Sequence, residues 1–112
     1  MNKEQKSKIL SLLIGKYEYT NESDPDRIIE YFEKNYINPL KKRTPIKDKV
    51  LLDVSCGFGW MVFAFLKQGG KFAYGVDIHK FSVESSKKIA RILKLNKKCK
   101  FNIGNIEKLR FK

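Results

Sequence analysis

The sequence predicts an α/β fold: a three-layer half-domain of three parallel strands with helices, preceded by two N-terminal helices. Three observations carry this. Apolar runs at Val50 to Val54, Phe72 to Val76 and Lys100 to Ile103 alternate with segments of helical periodicity. Each run ends on a polar or glycine-bearing turn, at Ser55 to Gly59, at Asp77 and at Gly104-Asn105. The connections are tight, so the order β-α-β-α-β reads as half of a doubly wound sheet.

Taken in chain order, Lys3 to Ile14 reads as an amphipathic helix and Tyr17 to Ser23 as a polar loop. Asp24-Pro25 is an N-cap followed by proline at the first helical position. Ile28, Ile29, Phe32 and Tyr36 then recur at helical spacing, with Pro39 expected to end the helix and Lys41 to Pro45 to form a basic connector. Val50 to Val54 is apolar and β-branched at both ends, as a strand buried on both faces would be. From Trp60 to Leu66 every residue is apolar, so this helix should be buried nearly all round, with Gly69-Gly70 marking its end. Ser82 is expected to cap a last helix running to about Leu95, with Val83, Ile89, Ala90 and Leu93 inward and the lysines outward. Two units follow from this order: a helical lead-in over 1–48 and an α/β part over 49–112.

Composition narrows the partners. The 112 residues carry a net charge of +12. Residues 1–48 hold 10 basic and 8 acidic side chains, whereas 49–112 hold 14 and 4. The excess gathers at Lys87, Lys88, Arg91, Lys94, Lys97, Lys98 and Lys100, which reads as the wet side of a helix or, alternatively, as a face for nucleic acid. Cys56 and Cys99 have no CxxC spacing and only His79 for company, so neither a disulfide framework nor a zinc site is supported, and a reduced, cytoplasmic setting fits. No run reaches the roughly 20 apolar residues of a membrane span. No membrane partner is expected.

Ligands of such sheets bind beyond the carboxyl ends of the strands. Gly57 and Gly59 let backbone approach a ligand and open a helix whose first amides favour negative charge. The G-x-G-x-x-G dinucleotide fingerprint fails, because its third glycine would be Val62 or, counted from Ser55, Trp60. A phosphate-binding loop fails too, for want of G-K-[ST]. Asp53, just before the loop, would repel a pyrophosphate and welcome a cationic or amino-bearing ligand. Asp77 lies 18 residues after Gly59, the distance at which these folds place a carboxylate for ribose hydroxyls. Asn105 offers an amide to an adenine edge, with Ile106 packing on the ring. The plain alternatives are a tight turn, an acidic N-cap and a turn asparagine.

The segments Leu52-Asp53-Val54-Ser55-Cys56-Gly57-Phe58-Gly59, Gly75-Val76-Asp77-Ile78 and Gly104-Asn105-Ile106-Glu107-Lys108-Leu109-Arg110-Phe111 together resemble the S-adenosylmethionine-dependent class I methyltransferases, a Rossmann-like family, over roughly Lys49 to Lys112. The resemblance implies S-adenosylmethionine as cofactor. Asp53, Ser55, Cys56, Gly57 and Gly59 would hold its methionine part, Asp77 and Ile78 its ribose side, and Asn105 and Ile106 its adenine. The cofactor carries a sulfonium and an ammonium but no phosphate, which suits a carboxylate-flanked glycine loop. Two positions depart from the family pattern: Ser55 replaces the usual first glycine and Asn105 the commoner aspartate.

The third segment is most like that of enzymes that methylate small molecules, so a small-molecule acceptor is expected. In the family, N-terminal helices often cover the pocket, which makes Tyr17, Tyr19, Tyr31 and Tyr36 candidates to line it, although packing explains each as well. Family members form a seven-stranded sheet, and by this resemblance the chain holds its first three strands, a truncated form of the fold. The first strand, interior in the family, would then be an exposed edge inviting a partner chain or self-association. Catalytic residues would lie beyond Lys112. The isolated chain is expected to be inactive or to need completion, and an RNA- or polyanion-binding module on the same fold is the alternative.

Overall fold

The computed structural model describes residues 1–13 and 24–105. Its elements are α1 (Lys3–Leu13), α2 (Pro25–Phe32), a π-helical turn (Glu33–Ile37), α3 (Asn38–Arg43), β1 (Val50–Val54), α4 (Trp60–Lys67), β2 (Phe72–Asp77), α5 (Lys80–Ile92) and β3 (Cys99–Ile103). The strands form one parallel sheet in the order β1-β2-β3. Asp53 pairs with Gly75 and Asp77 with Ile103, so the polar strand ends come out together at one edge of the sheet.

Asp24 caps α2 as its sequence predicts, its carboxylate accepting the Asp26 amide at 2.9 Å ahead of Pro25. The helix does not end at Pro39. Proline cannot donate to the carbonyl four residues back, and the chain meets this with the wide turn at Glu33–Ile37, where the Asn38 amide bonds the Glu33 carbonyl. Pro39 then sits in the first turn of α3, and Lys41, Lys42 and Arg43 are helical rather than a connector. The wide turn also advances the inward face by one residue. Ile37 is buried while Tyr36, expected inward, is 49% exposed.

α4 is buried at Trp60, Val62, Phe63, Ala64, Phe65 and Leu66, as an all-apolar helix must be. It packs on β1 and β2 and on α2, and α5 packs on β2 and β3 with α1 behind it. Ile9, Leu13, Ile29 and Ile37 from the N-terminal helices share one core with Phe63, Phe65, Val83, Ile89 and Phe101. α5 begins two residues before the expected cap. His79 occupies the cap position without a side-chain bond, and Ser82 is buried in the first turn. Val83, Ile89 and Ala90 face the core as expected, joined by Ser85 and Ser86.

Ala73, Gly75, Cys99 and Phe101 of the sheet are buried. On the opposite face Val76 is buried and Phe72 and Tyr74 are half-buried, whereas Val50 is 54% and Leu52 46% exposed and Lys100 and Asn102 are exposed. Among the described residues β1 is therefore an edge strand with a bare apolar face, although its composition is that of an interior one.

Candidate functional site

The chain leaves β1 at Ser55 and reaches α4 through three left-handed residues, Ser55 (φ 62°), Gly57 (φ 55°) and Gly59 (φ 87°). Two glycines answer different needs. A Cβ on Gly57 would meet nothing within 4 Å, so this residue borders open space at the mouth of the site. A Cβ on Gly59 would stand 3.0 Å from the Phe63 ring and 3.1 Å from Phe101, so this residue lets α4 close on the sheet. Ser55 holds the same backbone conformation with a side chain, at a cost of about 1–2 kcal/mol.

Asp77 ties the loop to the second strand end. Its Oδ2 accepts the Gly57 amide at 2.9 Å, and its Oδ1 accepts the His79 amide at 2.9 Å and lies 2.8 Å from His79 Nδ1. Burial pushes this carboxyl up, but the His79 and Gly57 amides and the His79 ring outweigh it and hold Asp77 below the ordinary carboxylate range. Ser86 Oγ lies 2.8 Å from the Gly57 carbonyl and 2.9 Å from that of Ser82, sharing one proton between them. Both sides of the Gly57 peptide are thus fixed by the β2–α5 unit.

Asp53 is different. Half-buried in the same cleft, it accepts no hydrogen bond from any described residue. Burial, with the neighbouring charge of Asp77, raises its carboxyl to about 6. Two carboxylates therefore face a cleft of about 430 Å³, whose other wall is Phe32, Trp60 and Met61. Among the described residues no lysine or arginine lines it. Trp60 adds a second unmet need, for its buried Nε1–H has no partner among the described residues.

A second recess of about 290 Å³ adjoins the first, sharing Ser55, Asp77 and His79 and continuing to Ile78, Gly104 and Asn105. Ile78 is 63% exposed there. The Cys56 amide donates to the Val76 carbonyl at 2.9 Å, and its Sγ sits where a Cβ on Gly75 would come within 3.0 Å, so the thiol belongs to the sheet packing. Burial pushes that thiol up to about 12, which leaves it inert at neutral pH. Ile106, Tyr17 and Tyr19 lie outside the described residues.

The folded chain thus brings Asp53, Ser55, Gly57 and Asp77 to one cleft and Ile78 and Asn105 to the adjoining recess. Gly59 supports the floor from inside. Tyr31 and Tyr36 line neither space; their rings meet edge-on at 6.3 Å on the surface, and Phe32 reaches the cleft instead. His79, Ser86, Phe32 and Met61 escaped the sequence reading. Ser86 had a signal, as a polar residue at an inward position of the helical pattern.

A glycine turn between a parallel strand and a buried helix, with carboxylates at two successive strand ends, is the arrangement of a Rossmann-like α/β half-domain. The family model described as a methyltransferase domain matches residues 46–112, more than half of the chain, and the protein belongs to that family. Among solved structures it is similar to the MccD protein, at 28% identity and a TM-score of 0.59, over 75% of this chain and 34% of that one. It is also similar to a geranyl diphosphate methyltransferase solved with S-adenosylmethionine (19% identity, TM-score 0.58, 79% and 33% covered). A Pyrococcus horikoshii protein provisionally assigned as an RNA methyltransferase matches over 99% of this chain and 54% of its own length, at 18% identity and a TM-score of 0.65. The chain spans about a third of the length of the first structures it matches. No curated protein matches it.

Proposed function

We propose that the strand-end cleft binds S-adenosylmethionine and that the protein serves methyl transfer to a small-molecule acceptor. The observation that carries this is the Asp53 carboxylate: half-buried, without a donor among the described residues, and beside a second carboxylate. Such a group calls for a cationic ligand. The cofactor's ammonium and sulfonium have that charge, and Gly57 leaves room for it. When bound, S-adenosylmethionine supplies an electrophilic methyl group on sulfur. The residues of this chain bind and orient it: Asp53 and the loop of Ser55, Cys56, Gly57 and Gly59 the methionine part, Asp77 and Ile78 the ribose, Asn105 and Ile106 the adenine. The geranyl diphosphate methyltransferase and S-adenosylhomocysteine-bound relatives support that choice.

In this reading residues 1–48 are a lead-in that walls the cleft through Phe32, and 49–112 are the cofactor-binding part. A cleft of about 430 Å³ is within the ordinary range for a small-molecule site. The bare β1 edge is where a further strand, from a partner chain or a second copy, would complete the sheet. Calorimetry with S-adenosylmethionine and S-adenosylhomocysteine tests the proposal. Heat with the wild-type chain, much reduced in Asp77→Ala and in Asp53→Asn, is expected; no heat at millimolar ligand overturns it.

A further inference from the structure

We propose that the outward face of α5, with the recess between α5 and β3, binds the sugar-phosphate backbone of nucleic acid. At 100° per residue Lys80, Lys87 and Arg91 fall within one narrow stripe of α5, a helix about 20 Å long, and Lys94 follows in the turn just past its end. The fold then adds what the helix alone lacks. Lys100, nine residues past Arg91 in sequence, comes beside Lys87, Arg91 and Asn96 around a recess of about 220 Å³ that no carboxylate among the described residues lines. Lys97 and Lys98 are exposed on the loop between.

Glu84 is the single acidic residue of the helix, and it meets Lys87 at 3.7 Å with both side chains half-buried. Among the described residues no carboxylate forms an ion pair with Lys80, Arg91, Lys94, Lys97, Lys98 or Lys100. Three cations turned on one recess repel one another, and an oxyanion seated among them removes that cost.

Two structural duties compete for these residues. Lysines on or beside an edge strand deter strand pairing, which accounts for Lys100 in β3 and Lys98 just before it. Cations in and just past a last helical turn complement the helix dipole, which accounts for Arg91 and Lys94. Neither covers Lys87 in mid-helix, or Lys80, which stands at the positive end of α5 where a cation is disfavoured. A phosphate track accounts for all of them. It begins at Lys80, next to His79 on the cleft rim, and runs to the amino end of β3, away from the reaction cleft. The inference is independent of the cofactor assignment.

Fluorescence anisotropy of a labelled single-stranded RNA and the matching DNA, titrated with the full chain over a range of salt, tests it. Affinity should fall steeply with salt. The triple variant K87Q/R91Q/K100Q should lose at least tenfold in affinity and flatten the log-log salt slope by about 2, at ~0.7 per phosphate contact. It should keep the calorimetric response to S-adenosylmethionine. The control K3Q/K8Q/K42Q, with the same change of net charge, should keep the slope. Equal loss in the control, no binding at low salt, or equal competition by anionic lipid vesicles overturns the proposal. Equal affinity for RNA and DNA supports backbone recognition, and preference for RNA supports it with added 2′-hydroxyl contacts. Lysine acylation of the wild-type chain gives a second readout: nucleic acid should protect Lys87 and Lys100 but not Lys3 or Lys42, and uniform protection counts against the track.

Discussion

The cleft at the carboxyl ends of the strands and the recess between α5 and β3 lie toward opposite ends of one small sheet and carry opposite chemistry. Asp53 and Asp77 face the cleft, which no described lysine or arginine lines in a chain of net charge +12. Lys87, Arg91 and Lys100 face the recess, which no described carboxylate lines. Net charge describes neither place. What matters is the sign of the charge at the mouth of each space, and the strand direction sorts it: strand ends supply the acids, the outer face of α5 the bases.

The two places share a wall, and the largest expected effect lies there. Phe101 borders the recess and also stands 3.1 Å from where a Cβ on Gly59 would be. Gly59→Ala should cost about 2–4 kcal/mol in urea unfolding, from left-handed strain and overpacking together, and should weaken ligand binding at both places. An effect confined to the cleft would show that the wall is not shared.

Asp77→Ala should affect the cleft alone. It leaves the Gly57 and His79 amides without their acceptor, at a cost of about 2–3 kcal/mol. Because its pKa is lowered in the fold, Asp77 stabilises the protein above the ordinary carboxylate range and this contribution is lost as pH falls through the folded value. Acid unfolding of the variant and the wild type should therefore converge at low pH.

Asp53 has the opposite sign. Its carboxyl is raised to about 6, so the folded state holds a proton that the unfolded state has released between the ordinary carboxylate value and 6. Stability falls as pH rises through that window. Asp53→Asn should raise Tm at neutral pH, with the gain vanishing in acid, and should weaken a cationic ligand about tenfold, equivalent to ~1.4 kcal/mol. In the wild type, affinity for S-adenosylmethionine should rise as pH passes 6. A variant that loses stability, or a flat pH profile, would remove Asp53 from the ligand site.

The smallest effect is a gain. Ser55→Gly relieves a side chain at φ 62° and should add about 1 kcal/mol to stability if strain outweighs the unfolded-state entropy of glycine. Equal stability of the two proteins would show that the strain is already relieved.

Much of the fold was legible because its signals are local. β1 is found at Val50–Val54 as its composition predicts, and Asp24-Pro25 opens α2 because a carboxylate and a missing amide at a helix start act within one turn. The meeting of Asp53, Gly57 and Asp77 at one cleft was legible, since each is placed by a strand end. Pro39 misled, since the helix absorbs it through a wide turn, and that turn moved Tyr36 out and Ile37 in. Ser86 and Phe32 escaped because their importance depends on what packs opposite them.

From sequence alone came the order of elements, the glycine turn with its flanking acids, and the clustering of positive charge after Asp77. These depend on bond rotation, side-chain period and residue type, which each segment carries with it. Only the tertiary structure decided that Asp77 grips the Gly57 amide, that Asp53 has no donor among the described residues, and that Lys100 joins Lys87 and Arg91. Those are facts about distances between residues far apart in the chain, set by how α4 and α5 seat on the sheet.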